Sequence, residues 1–191
     1  MPPALLGAFH ELISRYSEPH RKYHTVRHLD ECFSRLDQIR LLAKRPAEVE
    51  VALWYHDAVY EQRSHENEAR SAELAAATVR SAGKPAECAH RVCELILATR
   101  HAALPRDDDA KVLVDVDLSI LGETPARFDE YERQVREEYS WVPELLYRKE
   151  RRTILKEFLT RAAIFNTAPF RERYGSQARA NIERSLQQLG G

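Results

Sequence analysis

The stretch VLVDVDLSI, residues 112–120, decides the fold class. Its residues Val112, Val114, Val116, Leu118 and Ile120 alternate with Leu113, Asp115, Asp117 and Ser119, which is mostly the period of a half-buried strand. Read as a strand, it needs a partner for its backbone N–H and C=O groups, and no second stretch of the chain offers one. The segment therefore reads as a buried helix. On that helix Asp115 and Asp117 lie about 200° apart, so only one of them faces a given site.

Helix patterning surrounds it. Residues 26–43 carry Leu29, Cys32, Phe33, Leu36, Ile39 and Ala43 at the spacing of one helical face, and Thr25 stands as the expected N-cap. Val49, Ala52, Leu53, His56 and Tyr60 form a similar stripe after Pro46. Pro46, Pro85, Pro125 and Pro143 each fit a first helical position, with Thr124 as a cap, and Gly83 and Gly122 fit the stops. The pattern predicts helices near 4–15, 26–43, 47–60, 67–82, 86–101, 111–121, 125–139, 144–166 and 176–189. With six glycines, no Asn-Gly hairpin signal and no repeat, the expectation is an all-α chain forming a single compact helical bundle over residues 1–191.

Composition narrows the function. A chain of 191 residues with 43% hydrophobic content is long enough for one sizeable core. The 29 basic residues balance 30 acidic ones, so no global field would hold bulk nucleic acid or an anionic membrane, and phosphate recognition has to be local. The opening MPPALLGAFHELISRY lacks the basic and apolar regions of a signal peptide, and no apolar run approaches the roughly 20 residues that span a bilayer. The expected location is the cytoplasm. Three cysteines, Cys32, Cys88 and Cys93, show no CxxC pairing and read as small core residues in a reducing compartment.

Three places carry chemistry. KYHTVRHLDE, residues 22–31, sets His24 and His28 one helical turn apart; LWYHDAVY, residues 53–60, sets His56 against Asp57 in an apolar run; VDVDLSILG, residues 114–122, holds two carboxylates among valines and leucines. On a helix His56 and Asp57 point about 100° apart, yet both can reach one ion above the surface between them. Burying Asp57 alone would cost several kcal/mol, so it needs a cation or a partner. Imidazole nitrogen with carboxylate oxygen suits a divalent first-row metal, and a third ligand from His28 with a fourth from an aspartate in 114–122 would leave positions open for water and substrate. The chain has no nucleophile elbow, phosphate-binding glycine loop or HExxH, which removes serine hydrolases, P-loop NTPases and zincins.

The ordered set H…HD…D, as YHTVRHL, WYHDAVY and DVDLSILG, resembles the HD-domain superfamily of metal-dependent phosphohydrolases. The flanking stretches are similar to one small bacterial branch of predicted HD phosphohydrolases: Arg21 to His24, NEARSA (Asn67 to Ala72), TRH (Thr99 to His101), REEY (Arg136 to Tyr139) and RRTILKEFLTR (Arg151 to Arg161). The resemblance covers nearly the whole chain. It implies His28, His56, Asp57 and Asp117 as ligands of a divalent ion (manganese, iron, cobalt, nickel, zinc or magnesium). Asp117 is preferred to Asp115 because it opens a D-L-S run. The YHxxxH spacing also resembles cyclic-nucleotide phosphodiesterases, which implies His24 as the acid for the leaving oxygen. Tyr60 stands where 5'-deoxynucleotidases of the superfamily have a catalytic glutamate, with Glu61 one position later, so the resemblance does not extend to that activity.

Substrate contacts implied by the same resemblance are Arg21, Glu68, His101 and Arg151, with Asp57 catalytic through the metal. RKERR, residues 148–152, otherwise reads as a solvated face. The expected partner is a small phosphorylated molecule of nucleotide type, and the expected reaction is hydrolysis of its phosphoester by metal-activated water. Two other functions fit the same residues. One is an oxygenase with two irons, using His90 and His101, which are eleven apart and about 20° off one helical stripe. The other is a nucleotide-binding sensor without catalysis.

Overall fold

In the computed structural model, which describes residues 3–190 with side chains from residue 6, every regular element among the described residues is a helix. VLVDVDLSI is helical too: residues 112–117 complete α6 (Asp108–Asp117), and Leu118–Gly122 wind on as a 3-10 turn. The strand-like alternation has a simple cause. Val112, Leu113, Val114, Asp115 and Val116 are all buried, and a helix buried on every side has no single apolar face to impose a 3.6-residue period. Met1, Pro2 and Gly191, at the ends of the domain expected over residues 1–191, lie outside the described residues.

The chain divides into two compact units, residues 1–116 and 117–191, the division falling at the last residue of α6. The first holds α1 (Pro3–Tyr16), α2 (Val26–Ile39), α3 (Pro46–Tyr55), α4 (Asn67–Ser81), α5 (Ala86–Ala98) and the body of α6. Leu29, Cys32, Leu36 and Ile39 line the buried face of α2, as their spacing predicts. On α4 the buried residues are Ser71, Ala72, Ala75, Ala76 and Val79, mostly small side chains that suit a close neighbour, and α4 packs along α5 with α3 against both. The buried Asp109 carboxylate accepts the backbone N–H groups of Lys44 (2.6 Å) and Arg45 (3.1 Å), pinning the start of α6 to the start of α3.

Several ends differ from the expected ones. α2 stops at Ile39 and gives way to a 3-10 turn, Arg40–Leu42. Thr25 holds the extended N-cap conformation, but its hydroxyl points to the Tyr23 carbonyl (3.4 Å) and caps nothing. Pro46 and Pro125 do open their helices, while Pro85 and Pro143 sit one residue earlier, with ψ of 150° and 139° that keep them outside. α3 ends at Tyr55, which takes His56 and Asp57 off the helix on which they were expected.

The second unit holds the 3-10 turn, α7 (Pro125–Glu138), α8 (Glu144–Thr160) and α9 (Ala168–Gln188). α9 begins well before the expected residue 176, with Pro169 in its first turn pre-setting φ. Phe165, Phe170 and Tyr174 form its aromatic core, with ring centroids 4.9 to 6.1 Å apart. Gly122 is required by close approach: a Cβ there would stand 2.5 Å from the Tyr174 Cβ and 2.9 Å from its carbonyl oxygen. The Asn181 amide donates to the carbonyls of Leu121 (2.9 Å) and Glu123 (2.8 Å), satisfying the end of the turn. No helix among the described residues is long and apolar enough to cross a membrane.

Candidate metal centre

The site starts where α3 stops. His56 and Asp57 lie in the turn after Tyr55, and His56 is 1% exposed. Its Nδ1 is 2.8 Å from the Leu53 carbonyl, which only accepts, so Nδ1 carries the proton and Nε2 presents its lone pair inward. His28 projects from the first turn of α2 and is equally buried. Its Nε2 stands 3.1 Å from the Nε2 of His56, and Asp57 Oδ2 lies 3.0 Å from His56 Nε2 and 3.6 Å from His28 Nε2. At the end of α6, an Asp117 carboxylate oxygen completes a group with the ring nitrogens of His28 and His56 whose atoms all lie within 4.8 Å of one another.

The electrostatics agree with the geometry. Burial opposes the charge on Asp57, but the imidazoles of His56, His24 and His28 in their protonated form outweigh it and hold the carboxyl well below the usual carboxylate range. Two imidazole nitrogens with the carboxylate of Asp117 are a donor set that could hold a divalent first-row ion; Asp57 is not in that group, although its Oδ2 stands beside both rings, 3.0 Å from His56 Nε2 and 3.6 Å from His28 Nε2. Cys32, one turn after His28, has its Sγ 3.7 Å from that ring and 4.0 Å from the Val116 carbonyl, and stands outside the group.

His24 borders the donors without joining them. Its ring stacks on Tyr60 at 4.3 Å, meets Tyr23 edge-on at 4.9 Å and lies 5.9 Å from the His28 ring. The charge of Asp57 reaches it. Asp115, two residues before Asp117, is fully buried and outside the group, as the angle between them on a helix requires.

The other expected residues are placed as follows. Arg21 is buried, and its guanidinium donates to Glu18 and to the carbonyls of His24, Asp57 and Ala58. Arg151, on α8, is buried against Glu132 of α7 in a tight ion pair and donates to the Tyr131 hydroxyl at 2.8 Å, while Ser185 of α9 donates to the same Glu132. Glu68 faces Arg100 at 3.6 Å where α4 and α5 adjoin. His101 lies past the end of α5 with a φ of 54°, and His90 is exposed on α5, so the two do not share a helical stripe. Sequence reading missed Tyr16 and Asp109, whose partners are remote in the chain.

Comparison of the chain with protein-family models, curated proteins and solved structures gives no match. What fold and site define together is a chain that is all-α among the described residues and carries a His28–His56–Asp117 group that could hold a metal ion.

Proposed function

We propose that this protein is a metal-dependent phosphohydrolase of the HD type, acting on the phosphoester of a small nucleotide-like molecule. The observation that carries the reading is the convergence of His28 Nε2, His56 Nε2 and Asp57 Oδ2 within 3.0 to 3.6 Å, with Asp117 completing the H…HD…D order. A bound divalent ion would supply Lewis acidity and lower the pKa of water from 15.7 towards about 7, as zinc does.

The chain's own residues do the rest. Asp57 and Asp117 bring the negative charge that a dication needs, and the Leu53 carbonyl fixes the tautomer of His56. His24, stacked on Tyr60 and facing the field of Asp57, is placed to protonate the departing alkoxide. Arg21 and Arg151 have their guanidinium groups engaged within the protein, so compensation of the phosphate charge falls to the ion and to His24. An oxygenase with two irons needs further histidines at the centre; among the described residues the group has only His28 and His56, which favours hydrolysis.

The test is phosphate release from a panel of nucleotide mono- and diesters, with each divalent metal in turn. Turnover that is abolished by chelator, independent of oxygen and associated with one ion per chain supports the reading. Tight nucleotide binding with no product at any metal would replace it with a sensor.

A further inference from the structure

Asp57 lies in a turn past the end of the α3 ladder, where the Ala58 N–H still reaches the Tyr55 carbonyl at 3.0 Å. Other groups hold the peptide groups on either side of it. The Tyr16 hydroxyl accepts the Asp57 N–H (3.2 Å) and donates to the Trp54 carbonyl (3.2 Å), bridging the end of α3. Arg21 Nη1 donates to the Asp57 carbonyl (2.7 Å) and to the His24 carbonyl (3.2 Å), and Nη2 donates to the Ala58 carbonyl (3.1 Å). Nε is taken by Glu18 at 3.0 Å. One guanidinium thus ties the segment carrying His24 to both carbonyls of the turn carrying Asp57. Its side chain is wholly enclosed, with its carbon 5.0 Å from the Tyr16 ring centre and 5.3 Å from that of Tyr60. Enclosing a guanidinium is costly, and a group meant for substrate would stay accessible.

From this we infer that Arg21, with Tyr16 beneath it, is the positioning residue of the metal centre, setting metal affinity by fixing the Asp57 backbone against the His24–His28 segment. The inference rests on the metal reading above. Its logic is geometric: a planar fork with five N–H donors spans three carbonyls, whereas a lysine nitrogen is a single point and cannot. Groups that orient ligands from behind typically change metal affinity by about 10- to 100-fold when removed.

The experiment measures Zn²⁺ affinity by competition with a chromophoric chelator, and the visible spectrum of the Co²⁺ form, with far-UV circular dichroism checking the fold. Arg21→Lys, which keeps the charge, is expected to weaken Zn²⁺ binding about 10-fold or more and to alter the Co²⁺ bands. Glu18→Gln, which leaves the carbonyl contacts in place, is expected to bind as wild type does. Free guanidinium at millimolar concentration is expected to restore part of the affinity of Arg21→Ala. If Arg21→Lys does not fold, Tyr16→Phe carries the test, with an expected weakening of several-fold. Wild-type affinity in a folded Arg21→Lys, or in Tyr16→Phe where that variant carries the test, would overturn the inference alone. Wild-type protein that takes up neither Zn²⁺ nor Co²⁺ would overturn the metal reading and this inference together.

Discussion

His24 and His28 are neighbours on paper and do different things in space. His28 aims Nε2 at His56, while His24 packs its ring on Tyr60, so their alanine variants should fail differently. His28→Ala is expected to lose metal affinity, with excess metal restoring part of the turnover. His24→Ala is expected to keep its metal and lose about 10² to 10⁴ in rate, less on a nitrophenyl ester whose leaving group needs no proton. Metal loss from both variants in elemental analysis would show that both are ligands. The carboxylates divide in the same way. Asp57→Ala should empty the site, because it removes one of two charged ligands. Asp117→Asn should weaken metal binding and Asp115→Asn should not; the opposite ranking by titration would reassign the ligand.

At the level of elements, the ends of helices place the chemistry. The stop of α3 at Tyr55 puts His56 and Asp57 in a turn, where side-chain direction is set by the Leu53 carbonyl, Tyr16 and Arg21 and no longer by helical phase. That stop was not legible, because His56 and Tyr60 continue the apolar stripe of α3 and no glycine or proline breaks it. Pro46 and the Pro125–Thr124 pair were legible, since a proline's φ and a cap's hydroxyl act within one turn. The Arg151–Glu132 pair joins α8 to α7, with Ser185 of α9 on the same carboxylate. Arg151→Ala leaves the half-buried Glu132 without its cation and is expected to lower stability by about 1 to 3 kcal/mol in urea unfolding. Replacing both by apolar residues, Arg151→Met with Glu132→Leu, is expected to recover most of that loss. A stability unchanged in Arg151→Ala, with a raised KM for a phosphorylated substrate, would return the residue to the substrate side.

For the whole molecule, metal binding and folding are linked. An ion that binds only the folded chain stabilises it by about 2.7 kcal/mol at 100 times Kd, and a chain of this size gains about 2–4 °C in Tm per kcal/mol. Saturating metal is therefore expected to raise Tm by about 5–11 °C. Chelator should reverse the rise, and Asp57→Ala should abolish it; an equal shift in that variant would place the metal elsewhere. The sequence by itself determined the all-α class, the starts of most helices and the residue types of the H…HD…D set, because patterning, caps and prolines act over a few residues of chain. Only the tertiary structure decided that the ring nitrogens of His28 and His56 meet at 3.1 Å with Asp57 Oδ2 beside them. It alone decided that Arg21 grips a backbone 36 positions away and that Asp109 holds one 65 away. Such partners are chosen by packing across the core, and no local pattern of residues records which remote carbonyl a buried side chain will meet.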